Sequence, residues 1–171
     1  MRILLSIPLL LAAGCGESAS EPAKAARLAS LESGQWELTS EVTSLASQDD
    51  GEPAIATPVG TRATESVCVG GSGRVPTELF SGAGYDCSYD NYYLRNGRIN
   101  TLLSCTRDGL QGNIAMTIDG SFETGQFSYT RNVRTILATD GDVLVGQRVT
   151  GRRSGDCTPE AEPTANEAAA K

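Results

Sequence analysis

A strict two-residue rhythm between Leu110 and Glu123 constrains this chain more than any other feature. The even positions carry Leu110, Gly112, Ile114, Met116, Ile118, Gly120 and Phe122, and the odd ones Gln111, Asn113, Ala115, Thr117, Asp119, Ser121 and Glu123. Successive side chains of a strand point to opposite faces, so this rhythm buries one face and wets the other. A helix would scatter the same residues around its circumference. Each large apolar side chain gains ~1.5–3 kcal/mol on full burial, so such a strand needs a covering partner.

The pattern recurs along the chain. Phe127, Tyr129, Val133 and Leu137 alternate with Gln126, Ser128, Thr130, Asn132 and Arg134. Val143, Val145 and Val149 share a face, as do Ile99, Leu103 and Cys105, and also Trp36, Leu38 and Val42. Between these runs, Arg95–Gly97, Arg107–Gly109, Glu123–Gly125 and Thr139–Asp142 each supply the glycine that tight hairpins need at positive φ. Short loops make neighbouring strands antiparallel. The expectation is a meander of five strands at about 86–95, 98–107, 110–123, 126–138 and 143–154, joined by two earlier strands at about 34–46 and 60–69. The fold class is therefore all-β: an antiparallel up-and-down meander of about seven strands curled into a barrel or half-barrel, with disulfides. A membrane-spanning barrel is disfavoured, because the second face carries Arg, Asn, Gln, Asp and Thr in place of an apolar band.

Charge and composition narrow the function classes. The 171 residues hold 21 Asp plus Glu against 14 Lys plus Arg, which argues against a nucleic-acid partner. Histidine is absent, and with it the commonest general base and metal ligand. The only lysines, Lys24 and Lys171, lie near the two ends, far from any serine of the body that a Ser–Lys mechanism would use. Gly70–Arg74 (GGSGR) lacks the Gly-Lys-Ser/Thr of a phosphate loop. Gln48–Glu52 (QDDGE) gathers three carboxylates without the alternating pattern of a calcium loop, and reads as a solvated turn. No catalytic residue, metal site or cofactor is expected.

The two ends of the chain read as address and tail. Residues 1–14 combine a positive start with an apolar run from Ile3 to Ala13, which is too short for a bilayer span of about 20 residues and matches a signal peptide. The sequence Ala12-Ala13-Gly14-Cys15 resembles the lipobox of bacterial lipoproteins, with Ala12 where Leu is usual. In that resemblance Cys15 takes a lipid on its sulfur and, after cleavage, an acyl chain such as palmitate on its amine. Gly16 in place of Asp favours the periplasmic face of the outer membrane. Residues 15–33 then form a lipidated flexible tether, 34–157 the antiparallel β domain, and 158–171 a disordered acidic tail.

With Cys15 set aside, Cys68, Cys87, Cys105 and Cys157 make an even number in an exported chain, so two disulfides are expected. Three connectivities exist. Cys68–Cys87 with Cys105–Cys157 is favoured, because the first closes a short glycine-rich loop and the second pins the last strand. Spacings of 19, 18 and 52 offer no Cys-x-x-Cys pair for zinc.

These pieces together resemble the bacterial domain-of-unknown-function family 3617. The residues that carry the resemblance are Gly34-Gln35-Trp36-Glu37, Cys68, a loop with a short helix-like stretch, Cys87-Ser88-Tyr89, the strand with Cys105, and the closing Thr150–Cys157 (TGRRSGDC). It spans about residues 33–157 and implies an exported, disulfide-bearing β domain, often a lipoprotein, with no activity attached.

Two clusters are candidates for a ligand or partner surface. Tyr85–Tyr93 (YDCSYDNYY) holds four of five tyrosines, and simple alternation puts Tyr85, Tyr89 and Tyr93 on one face and Tyr92 on the other. Among the arginines of the last two strands, Arg134, Arg148 and Arg152 occupy the polar phase and form an outward basic stripe, or pair across strands with Glu and Asp. The expected function is a non-enzymatic, lipid-anchored periplasmic module. It would meet the membrane through Cys15 and an envelope protein through its surface. The alternative is a small barrel that carries an apolar small molecule in its lumen.

Overall fold

In the computed structural model, which describes residues 30–71 and 74–157, the alternation resolves into seven strands. They are β1 Gly34–Ser47, β2 Arg62–Val69, β3 Asp86–Arg95, β4 Arg98–Arg107, β5 Leu110–Glu123, β6 Gln126–Leu137 and β7 Val143–Gly155, with one turn of helix, α1 Glu78–Ser81, between β2 and β3. Their ends agree with the sequence reading to within two residues. Cys15, the leader before it, most of the tether and the tail from 158 lie outside the described residues.

All seven strands belong to one antiparallel sheet in the order β2-β1-β7-β6-β5-β4-β3. The meander β3 to β7 is sequential, and β1 adds to the free side of β7 with β2 beyond it. The sheet does not close, so β2 and β3 are its edges and the curled half-barrel form is the one realised. One face is mostly apolar: Trp36, Leu38, Ile99, Leu103, Ile114, Met116, Ile118, Phe127, Val145 and Val149 are all buried there.

The segment from Val75 to Tyr85 covers that face. Leu79 and Phe80 of α1 are fully buried against it. Aromatic rings then run without a break across the interior. Trp36 lies 5.2 Å from Phe127, Phe127 5.5 Å from Tyr129, Tyr129 5.5 Å from Phe80, Phe80 6.4 Å from Tyr89, and Tyr89 4.9 Å from Tyr92. Offset and edge-on pairs of this kind each add ~0.5–1.5 kcal/mol beyond their buried area. The connector also reaches both edges, since the Ala83 amide donates to Glu65 on β2 and the Tyr89 hydroxyl of β3 donates to the Val75 carbonyl.

The four body cysteines form two disulfides, but not in the favoured pairing. They join Cys68 to Cys157 and Cys87 to Cys105. Loop length was the wrong guide, because strand order decides which sulfurs meet. Cys87 and Cys105 are direct partners on adjacent β3 and β4, with Cα atoms 4.1 Å apart. Cys68 faces Gln35 on β1, and Gln35 faces Gly155 at the end of β7. The chain leaving β7 therefore arrives beside β2, where Cys157 and Cys68 have Cα atoms 5.4 Å apart.

Two tests follow from this packing. A Cβ on Gly151 would run into the Phe127 ring, whereas one on Gly155 would meet nothing within 4 Å. Gly151→Ala is expected to lower stability by ~1–3 kcal/mol, as overpacked cores do, and Gly155→Ala to leave the urea midpoint nearly unchanged. Peptide mapping without reductant should recover the links Cys68–Cys157 and Cys87–Cys105, and a Cys68–Cys87 link would refute this topology.

Candidate functional site

The tyrosine cluster is split by one irregularity. Between Tyr89 and Asn91 the pairing of β3 with β4 slips by one residue, and such a bulge turns the following side chains to the opposite face. Tyr85, Tyr89 and Tyr92 therefore pack against the core, and Tyr93 points outward, contrary to the shared face of Tyr85, Tyr89 and Tyr93 that alternation suggests. The inner tyrosines have structural partners. The Val75 amide donates to the Tyr92 hydroxyl, and the Arg74 guanidinium lies 5.5 Å from the Tyr92 ring centre. Burial pushes the Tyr89 hydroxyl well above the usual phenol range, with Tyr92 and Glu78 adding to the effect, so it remains a protonated donor.

Arg131 behaves unlike its neighbours on β6 and β7. It lies in the inner phase with Phe127, Tyr129 and Val133, and is only 6% exposed. Its Nε donates to the Gln147 side chain at 2.6 Å and its Nη1 to the Phe80 carbonyl at 2.9 Å. The Tyr129 hydroxyl donates to the neighbouring Leu79 carbonyl at 2.6 Å, and burial raises its pKa far out of reach of physiological pH. Tyr129 and Arg131 are thus committed to holding α1 in place, while the buried Thr101 and Thr135 hydroxyls bond within the sheet, to Asn91 and Val143.

The outer face is where free chemistry remains. Arg134, Arg148 and Arg152 are all exposed there, and among the described residues none of them makes an ion pair within 4 Å. In register, Arg148 stands opposite Glu41 and Arg152 opposite Glu37. Glu41 itself pairs with Arg62 at 2.9 Å. Strand register brings Tyr93, Asn100, Asp119, Thr130, Arg148 and Glu41 into one row across six strands. In that row the Asn100 amide donates to the Asp119 carboxylate at 3.2 Å. Tyr93 and Arg148 thus share a surface, four strands apart. Asn100 and Asp119 were not among the sequence candidates, although both sit in the polar phase of their strands.

The acidic loop has a structural use. Asp49 Oδ1 accepts from the Gly51 amide at 2.9 Å, and Oδ2 accepts from the Gly141 and Asp142 amides at 2.9 and 2.8 Å. It fastens the loop after β1 to the β6–β7 turn. Among the described residues no three His, Cys, Asp or Glu side chains come together to hold a metal.

The family described as "Protein of unknown function (DUF3617)" matches residues 31–157, which is the whole described β body. The chain belongs to the DUF3617 family. No curated protein and no solved structure matches it. Within this DUF3617 chain the features that carried the resemblance are structural: Trp36 anchors the core, the four cysteines cross-link the strands, and Arg153 of the closing motif donates to the Ser33 carbonyl at 2.7 Å.

Asp49 yields a pH test. The Asp142 amide, followed by those of Gly141 and Gly51 and opposed by some desolvation, holds its carboxyl below the usual value of 3.8. A carboxyl lowered on folding stabilises fully above its unfolded pKa, and that contribution drains away as pH falls through the folded value. Asp49→Asn is expected to lower the urea midpoint at neutral pH. The gap to the wild type should narrow as pH drops below 3.8, and a gap constant across that range would refute the role.

Proposed function

We propose that this chain is a lipid-anchored protein of the bacterial cell envelope, held at the periplasmic face of the outer membrane through Cys15. Its β body is a non-enzymatic interaction module. The carrying observation is the division of polar groups between the two faces. Among the described residues no buried side-chain nitrogen or oxygen lacks a hydrogen-bond partner, and the inner ones hold the connector or bond within the sheet. Tyr93 and the exposed Arg134, Arg148 and Arg152, which make no ion pair among the described residues, lie on the outer face, where an envelope protein or another partner would meet them.

The carrier alternative needs room against the apolar face. Met116 and Ile118 are fully buried, with Leu79 and Phe80 of the connector in the same core, so the interior supports the interaction module better than a lumen for an apolar molecule. The anchor fits the same picture. One acyl chain gives only marginal attachment at ~0.8 kcal/mol per buried methylene, whereas a lipoprotein cysteine carries two or three. The residues before the body supply a polar tether between lipid and sheet.

The test is fractionation of cells that express the full chain. Wild type should sediment with the membranes and partition into detergent, and Cys15→Ser should move to the soluble periplasmic fraction. Membrane association that survives the substitution would refute the anchor.

A further inference from the structure

The outer face carries a groove that the lipid anchor does not use. Two depressions, of about 590 and 330 Å3, meet at Ser121, which lines both. The first lies over β3 to β5 and ends at Tyr93, and the second lies over β5 to β7 and ends at Arg152. Together they cross five strands, and four steps of about 4.8 Å make a length of ~19 Å.

Three features of its lining restrict what it can hold. The first is the ring of Tyr93. Eight of the nine aromatic residues belong to the core or pack against it, and Tyr93 alone faces outward. The Arg95 guanidinium lies over one face of the ring, 4.8 Å from its centre, and leaves the other face for a ligand. The second is a line of hydroxyls, because Ser121, Ser128 and Thr150 are successive cross-strand partners along the floor. The third is charge balance. Arg98 and Arg152 are offset by Asp119 and Glu123, and the Asp119 carboxylate is already oriented by Asn100.

A polyanion would meet two carboxylates in this groove, and a hydrocarbon would strip water from hydroxyls and amides that it cannot repay. The ligand that suits the lining is long, uncharged and rich in hydroxyls, with an apolar face for one aromatic ring. We propose that the groove binds a neutral oligosaccharide, with a pyranose stacked on Tyr93 and the following sugars hydrogen-bonded to Asn100, Asp119 and the hydroxyl line. The proposal deepens the reading of the outer face as an interaction surface and is independent of the lipid.

The experiment uses the full chain, isotope-labelled and solubilised in detergent, titrated by NMR with cellotetraose, with chitotetraose and with polyphosphate. Saturable binding of at least one tetrasaccharide is expected, with Kd of about 1 mM or tighter and shifts centred on Tyr93, Asp119, Ser121 and Ser128. Tyr93→Ala should weaken it about tenfold, ~1.4 kcal/mol, while Tyr93→Phe keeps it. Tyr93 lies outside the core, so both variants should retain the dispersed spectrum of the folded chain. The proposal is overturned if neither tetrasaccharide saturates, if only polyphosphate binds, or if Tyr93→Ala binds as tightly as wild type. A photo-cross-linker at Tyr93 that traps an envelope protein, with no sugar binding, would overturn the sugar and leave the interaction module standing. If neither forms, both readings fall.

Discussion

An open sheet with one apolar face is unstable until something covers it, and here the cover is a connector that two hydrogen bonds from the middle of the sheet hold against it. Tyr129 and Arg131 reach up from β6 to the carbonyls of Leu79 and Phe80. Those carbonyls lie in a helix of one turn, where most have no partner of their own. Burying each unpaired would cost ~1–3 kcal/mol, comparable to the ~1.5–3 kcal/mol that burying Phe80 gains. The two donors therefore allow apolar burial of the connector at all. The Tyr129 hydroxyl remains a protonated donor, since desolvation pushes it up.

Arg131 brings a charge into the interior, and a carboxylate of the edge strand stands near it without forming an ion pair within 4 Å. A Cβ on Gly82 would come within 3.1 Å of the Arg131 guanidinium and 3.2 Å of the Glu65 carboxylate, so the two groups flank this glycine. The φ of +76° at Gly82 closes the position to other residues on a second ground. Glu65 also accepts from the Ala83 amide. Charge, hydrogen bond and turn thus meet at the end of α1, which ties the cover to β2 as well as to the centre of the sheet.

Much of this was legible in the residues. Period-two alternation and glycine turns located all seven strands, and the apolar phase marked Trp36, Ile114, Met116, Ile118 and Val149 as core. Arg131 was legible too, because it shares the phase of Tyr129 and Val133. What escaped was register. The bulge after Tyr89 reverses the face of Tyr92 and Tyr93 without any signal in composition. Counting back from the turn at Arg107 and Leu110 pairs Asn100 with Thr117, but an irregularity after Cys105 moves its partner to Asp119. The groove depends on that displacement, so no reading by alternation alone assembles it. Strand order was equally hidden, because nothing local tells β1 to lie beside β7.

The true disulfide pairing makes better physical sense than the one that loop length favours. A Cys68–Cys87 bond would have tied the connector's ends to each other and left both sheet edges to their single neighbours. Instead each edge strand is cross-linked to the sheet, β2 through Cys157 beyond β7 and β3 through Cys105 on β4. Edge strands keep only half of their ladder bonds and are the first to fray or to recruit another chain. The connector hangs between these two strands, so their cross-links fix both of its attachment points. The longer bridge spans 89 residues against 18 for the other. By chain entropy it removes more freedom from the unfolded state, ~4.6 against ~3 kcal/mol. The cysteines thus secure the edges that the open topology creates, and through them the cover on which the core depends.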